Sequence, residues 1–205
     1  MSVTKLLPIF LAVDLLLPFV LSPMYKGYSH LTQVMSVLGN SKAPLHVVYN
    51  IWLLVLGSAI ILGAVYLRQK TIGVSSVLAN ILCTIMVIYA IGGCLIAGLF
   101  SVGETKEMVT ISAKVHGVGS AIGFMILMFA PLLIGLVYLK MGQKSIAGIS
   151  LGFFVLAIVF FVLFVMADKE IFQETIISWE GLWQRLSLLC AYIPVGVLCF
   201  YIDKV

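Results

Sequence analysis

Two ionisable residues interrupt stretches of this chain that are otherwise apolar. Asp14 breaks the run from Leu6 to Val20, and Arg185 follows Leu182-Trp183-Gln184 near the start of the last run. A central charge in hydrocarbon costs about 2.5–3.5 kcal/mol on insertion scales, so each needs a reason. For Asp14 the remedies are a proton, a basic partner or a water-filled cavity. Arg185 is the only arginine inside an apolar run, which makes an Asp14–Arg185 pair one expectation. Its guanidinium can also grip a phosphate through two parallel hydrogen bonds.

Histidines supply the next chemistry. His46 has Asn50 one helical turn deeper, and His116 has Ser120 in the same relation. Two imidazoles at matching depth can relay protons, act as bases or hold a metal or haem. The plainer reading is that each caps a nearby loop. Ser36 lies within reach of His46 if its loop folds back, and with Glu180 as the acid the trio would suit a nucleophilic hydrolase. No nucleophile elbow surrounds Ser36, and serine is common in turns. Candidate catalytic groups are therefore Ser36, His46, His116 and Glu180; the ligand-binding set is Arg185, His46, His116, Ser36, Asp14 and Gln184. The four cysteines, Cys83, Cys94, Cys190 and Cys199, sit in apolar runs with no Cys-x-x-Cys pair. They read as buried small hydrophobes, so no metal site is expected, and the residues name no cofactor.

The elements that must position these groups follow from composition. The 205 residues are 62% hydrophobic and 10% charged, with a mean hydropathy of +1.20. Soluble domains carry about a quarter charged residues. Too few polar side chains remain to cover a water-facing surface, so the chain is expected to be integral to a membrane. The net charge of +4 comes from scattered residues, and no basic run points to a nucleic acid. Membrane lipid is the expected partner.

Six runs are long enough to cross a bilayer, at about 6–22, 45–67, 75–100, 114–139, 146–167 and 182–202. The expected fold is all-α, a compact six-helix transmembrane bundle forming one domain over residues 1–205. The first run resembles a signal-peptide core, but Asp14 interrupts it and no small-residue cleavage pattern follows, so it reads as a retained helix. Arg68 and Lys70 in the second loop, and Lys140 and Lys144 in the fourth, have no acidic neighbours there. The acids gather in the third loop, at Glu104 and Glu107, and in the fifth, from Asp168 to Glu180. Both termini are then cytoplasmic, and loops one, three and five face outward. Lys26 and Lys42 in the first outer loop oppose this bias without reversing it.

Small-residue pairs mark expected helix contacts: Gly93-x-x-x-Ala97, Gly119-x-x-x-Gly123 and Gly148-x-x-x-Gly152. Such faces pack within a chain by default and leave room for an oligomer. Pro18, Pro131 and Pro194 are expected to bend the first, fourth and sixth helices. Trp179 and Trp183 suit interfacial anchors. Ser36-Val37-Leu38-Gly39 before His46 echoes Ser101-Val102-Gly103 before His116, too briefly to establish duplication.

Four short motifs carry a resemblance: Ser36-x-Leu38-Gly39, Gly98-Leu99-Phe100 at a helix end, His116-Gly117 and Gly181-Leu182-x-Gln184-Arg185. Together they resemble the DUF998 family of bacterial and archaeal six-span proteins. The layout more distantly resembles Frag1/DRAM/Sfk1 membrane proteins. The resemblance implies a six-helix bundle in a prokaryotic plasma membrane, with Ser36, Gly39, His116, Gly181 and Arg185 at the matching positions. The distant relatives are tied to lipid handling. Many members have Glu where this chain has Gln184, so no fixed Glu–Arg ion pair is implied and Glu180 is the nearer acid. The expectation is a protein of the lipid-handling class that binds an amphipathic ligand or lipid headgroup at the outer mouth. Arg185 would hold the phosphate there. An intramembrane hydrolase or a metal or haem enzyme is the alternative, and a partner-binding structural subunit the third.

Overall fold

The structure is a computed structural model that describes residues 3–100 and 110–202. Hydrocarbon offers no partner for backbone N–H and C=O groups, so a spanning segment must satisfy them within itself. The six apolar runs accordingly become six helices long and apolar enough to cross a membrane, and the protein is an integral membrane protein. They are α1 (Val3–Leu21), α2 (His46–Thr71), α3 (Ser76–Leu99), α4 (Ile111–Lys140), α5 (Lys144–Met166) and α6 (Glu180–Ile202).

Local chemistry sets the ends. Ser75 Oγ accepts from the Leu78 N–H at the start of α3, and Thr110 Oγ1 accepts from the Ala113 N–H at the start of α4. Arg68 and Lys70 lie in the last turn of α2, beyond the boundary read from hydropathy. Cations are favoured beside terminal carbonyls, and Arg68 Nε also donates to Asn80 Oδ1 at 2.6 Å. Gly142, at φ +76°, makes the turn between α4 and α5. Pro131 lacks an N–H, and α4 breaks into Ile111–Leu127 and Ala130–Lys140 just before it. Ser150 Oγ of α5 donates to the Pro131 carbonyl at 2.8 Å. Pro18 and Pro194 stay inside continuous helices.

Residues Ala90–Ile96 of α3 form a π-helical segment, a rare geometry frequent at functional sites. Gly92 and Gly93 there meet Gly119 and Gly123 of α4 almost backbone to backbone. A Cβ on Gly92 would overlap the Gly119 carbonyl, and one on Gly123 would lie 2.7 Å from the Gly93 nitrogen. The glycine pair of α5 departs from expectation: nothing lies within 4 Å of a Cβ on Gly148 or Gly152. The buried side of α5 is Ala147, Ser150 and Ala157 instead, a different stripe of the helix, so Gly148-x-x-x-Gly152 packs against none of the described residues.

The first connection, residues 22–45, folds back onto the bundle. Short 3₁₀ turns at Ser22–Met24 and Met35–Gly39 shape it, and Met35, Leu38 and Ala43 are buried. Glu104, Glu107 and Ser101-Val102-Gly103, which carried part of the charge and repeat readings, lie outside the described residues.

Candidate functional site

Asp14 is 2% exposed and joins four helices. From α2, the Trp52 indole N–H donates to its Oδ1 at 3.1 Å; from α6, the Tyr192 hydroxyl donates to Oδ2 at 3.0 Å. Tyr192 is hydrogen-bonded in turn to the Tyr89 hydroxyl of α3. The Trp52 ring stacks on Phe10 with centroids 5.7 Å apart. Beside the carboxyl lies a cavity of about 60 Å³ whose polar lining is Asp14, Ser36, Tyr49, Tyr89, Ser120 and Gln184. That is room for a few water molecules. Gly93 and Ala97, at and just after the π-helical segment, also line it. Ser120 Oγ is buried without a hydrogen-bond partner among the described residues. A larger groove of about 470 Å³ between α1 and α2 is lined by apolar residues and Ser58. The Ser58 hydroxyl is already bonded to the Leu54 carbonyl at 2.8 Å, so that groove offers little to polar chemistry.

Arg185 is 8% exposed and turned away from Asp14. Its Nη1 donates to the carbonyls of Gly181 (2.7 Å), His30 (3.0 Å) and Gln33 (3.2 Å). Its Nη2 donates to the Tyr28 hydroxyl at 2.6 Å and to His30 Nδ1 at 3.2 Å. No Asp14–Arg185 pair therefore forms. Asp14 lies about two turns below the end of α1, while the guanidinium reaches a nest of loop carbonyls close to its own depth. Neighbouring residues complete the clasp. The Leu182 N–H donates to the Leu31 carbonyl at 3.0 Å, and Gln184 Oε1 accepts the Met35 N–H at 2.7 Å, a bond a glutamate could accept equally. Gly181 has no side chain because there is no room: a Cβ would overlap the Gln33 carbonyl and lie 2.6 Å from that of His30.

The motif Gly181-Leu182-x-Gln184-Arg185 thus works as a clasp on the first connection. Residues 8–201 match the family model described as a protein of unknown function, DUF998, a span that touches all six helices. The chain belongs to the DUF998 family. No curated protein and no solved structure matches it.

Two other motif positions of this DUF998 protein, Gly39 and His116, also hold connections in place. Asn50 Nδ2 donates to the Gly39 carbonyl at 3.1 Å, and a Cβ on Gly39 would overlap Asn50 Oδ1. His116 Nδ1 donates to the Phe100 carbonyl at 2.7 Å, tying α4 to the end of α3. His46 Nδ1 donates to the Ala43 carbonyl at 2.8 Å, inside its own helix start. The structure brings Asp14, Ser36 and Gln184 to one cavity; Arg185, His46, His116 and Glu180 do not line it. Ser36 faces the cavity, and no hydrogen bond joins it to His46 among the described residues. Glu180 is the first residue of α6. Among the described residues no cluster of three His, Cys, Asp or Glu side chains is placed to hold a metal.

Sequence reasoning missed Trp52, Tyr89, Tyr192, Tyr28 and His30. Trp52 left a signal, being a tryptophan deep in a span instead of at an interface. His30 left a weaker one, as the remaining histidine of three. Its ring stacks on Phe19 at 4.2 Å, meets the Tyr28 ring edge-on at 5.2 Å, and places Nε2 2.7 Å from Ser22 Oγ. Partial burial, and then the Arg185 charge, lower the pKa of His30. Burial raises that of Tyr28, against the opposing pull of Arg185.

Proposed function

We propose that this DUF998 protein binds an amphipathic, lipid-like ligand by its polar end, at the cavity under the first connection. The basic residues at the ends of α2, α4 and α5 favour a cytoplasmic location for the opposite end, which turns this mouth outward. One observation carries the reading: a buried carboxyl with no basic partner among the described residues, beside a cavity containing a Ser120 hydroxyl that none of them pairs. Hydrocarbon makes such groups expensive, and a protein keeps them there for a task. The cavity suits an ammonium or hydroxyl end of a headgroup. A phosphate beside the Asp14 carboxylate would meet repulsion in a low dielectric. Arg185 serves as a positioning residue that holds the roof, and Ser36 and Gln184 add polar contacts from the roof and from α6. The ligand's role, whether carried, altered or sensed, lies downstream of this binding.

The test is lipid content. Full-length protein from native membranes is analysed by native mass spectrometry beside Asp14→Asn, which keeps the side chain's shape. Wild type is expected to carry an amine- or hydroxyl-headed amphiphile that the variant loses by at least about tenfold, the effect of roughly 1.4 kcal/mol. Equal lipid content in two equally stable proteins would refute the assignment.

A further inference from the structure

We propose that His30 and Arg185 form a pH-sensitive latch on the first connection, closed while the imidazole is neutral and released when it is protonated. The hydrogen bonds fix the proton's place. A guanidinium is a donor only, so the 3.2 Å contact from Arg185 Nη2 makes His30 Nδ1 an acceptor. The ring proton then sits on Nε2 and is donated to Ser22 Oγ at 2.7 Å. Adding a second proton puts an N–H on Nδ1, aimed at the Nη2 donor. Donor then meets donor, and charge meets like charge, because arginine stays protonated throughout.

Among the described residues, nothing around the ring rescues the imidazolium. From α6 it faces Arg185, and from its own connection the edge of Tyr28 and the Ser22 hydroxyl. From α1 it faces the Phe19 ring. Tyr28 cannot compensate with a negative charge, since burial holds its hydroxyl protonated well past neutrality. No carboxylate among the described residues hydrogen-bonds the ring. The same guanidinium that repels the protonated ring also holds the His30 and Gln33 carbonyls, so ring and backbone leave together. Met35 and Ser36, which follow in the chain, roof the Asp14 cavity. Release leaves the roof held by the Leu182–Leu31 and Met35–Gln184 hydrogen bonds alone, which favours uncovering the cavity. His30 is only partly buried, so protons reach it.

The direction follows from linkage. The closed latch lowers the imidazole pKa, so the open form binds the proton more tightly. Closure is complete above the ordinary histidine value of about 6.5 and weakens as pH falls below it, by tenfold for each unit separating open and closed values. The latch stands whatever the cavity binds, because its readout is the connection itself.

The experiment uses the full chain in lipid nanodiscs with ¹³C-labelled histidine. His30 is titrated by NMR, and amide exchange of residues 28–36 is followed over the same range, corrected for intrinsic exchange. His30 should titrate below about 6.5, and protection of the Met35 amide should fall several-fold with the same midpoint. His30→Asn, whose side-chain oxygen can accept from Nη2 without titrating, should keep its protection in acid. Titration at or above the ordinary value, pH-independent protection in wild type, or the same acid loss in His30→Asn would each overturn the latch. If His30→Asn does not fold, the wild-type titration and exchange decide alone.

Discussion

Arg185 shows how one residue can look like a ligand site and act as a joint. An arginine inside an apolar boundary invites a phosphate, yet its two terminal nitrogens are engaged by Gly181, His30, Gln33 and Tyr28. Lysine, a point charge on a flexible stem, cannot reproduce this fork. Arg185→Lys should lose one or two charge-assisted bonds, each worth about 1.5–3 kcal/mol, and lower the thermal midpoint in detergent or nanodiscs. Gly181→Ala tests the same joint from the other side. Its methyl group would overlap the Gln33 carbonyl, and a destabilisation of about 1–3 kcal/mol is expected. A neutral outcome for both would show that the connection does not depend on the clasp.

Glycines that look alike in sequence separate at the scale of elements. Gly92 and Gly123 let α3 and α4 touch through their backbones, next to the π-helical segment that borders the cavity. Gly148 and Gly152 lie on an open face of α5. Gly92→Ala is expected to cost about 1–3 kcal/mol through overlap with the Gly119 carbonyl. Gly148→Ala should be neutral or slightly stabilising, since alanine is the better helix former by about 1 kcal/mol. Thermal unfolding of the two variants side by side checks this. Equal effects would mean that the α3–α4 contact is looser than described, or that the α5 face is covered. The six crossings themselves were legible from hydropathy, because length and apolar content decide them. The identity of the packed glycine face was not, because a Gly-x-x-x-Gly pattern gives spacing without direction.

For the whole molecule, orientation comes from charge alone. Arg68, Lys70, Lys140 and Lys144 cluster at the ends of α2, α4 and α5, opposite the mouth that holds the first connection. The positive-inside bias predicts that the mouth faces out. A cysteine at the exposed position Lys26 should react with a membrane-impermeant maleimide in intact cells, whereas the native cysteines lie within the spans. Labelling only after permeabilisation would reverse the topology and place the mouth inside.

Sequence by itself determined that this chain lives in a membrane, crosses it six times and belongs to DUF998. It also marked Asp14, Ser36 and Gln184, the residues that meet at the cavity. Burial cost is a property of residue type, so it can be read along a line. Tertiary structure decided who partners whom: Asp14 with Trp52 and Tyr192, Arg185 with the carbonyls of the first connection, and His30 with Arg185. Hydrogen bonds depend on depth, rotation and direction, and residues some 155 positions apart in the chain acquire those only when the helices pack.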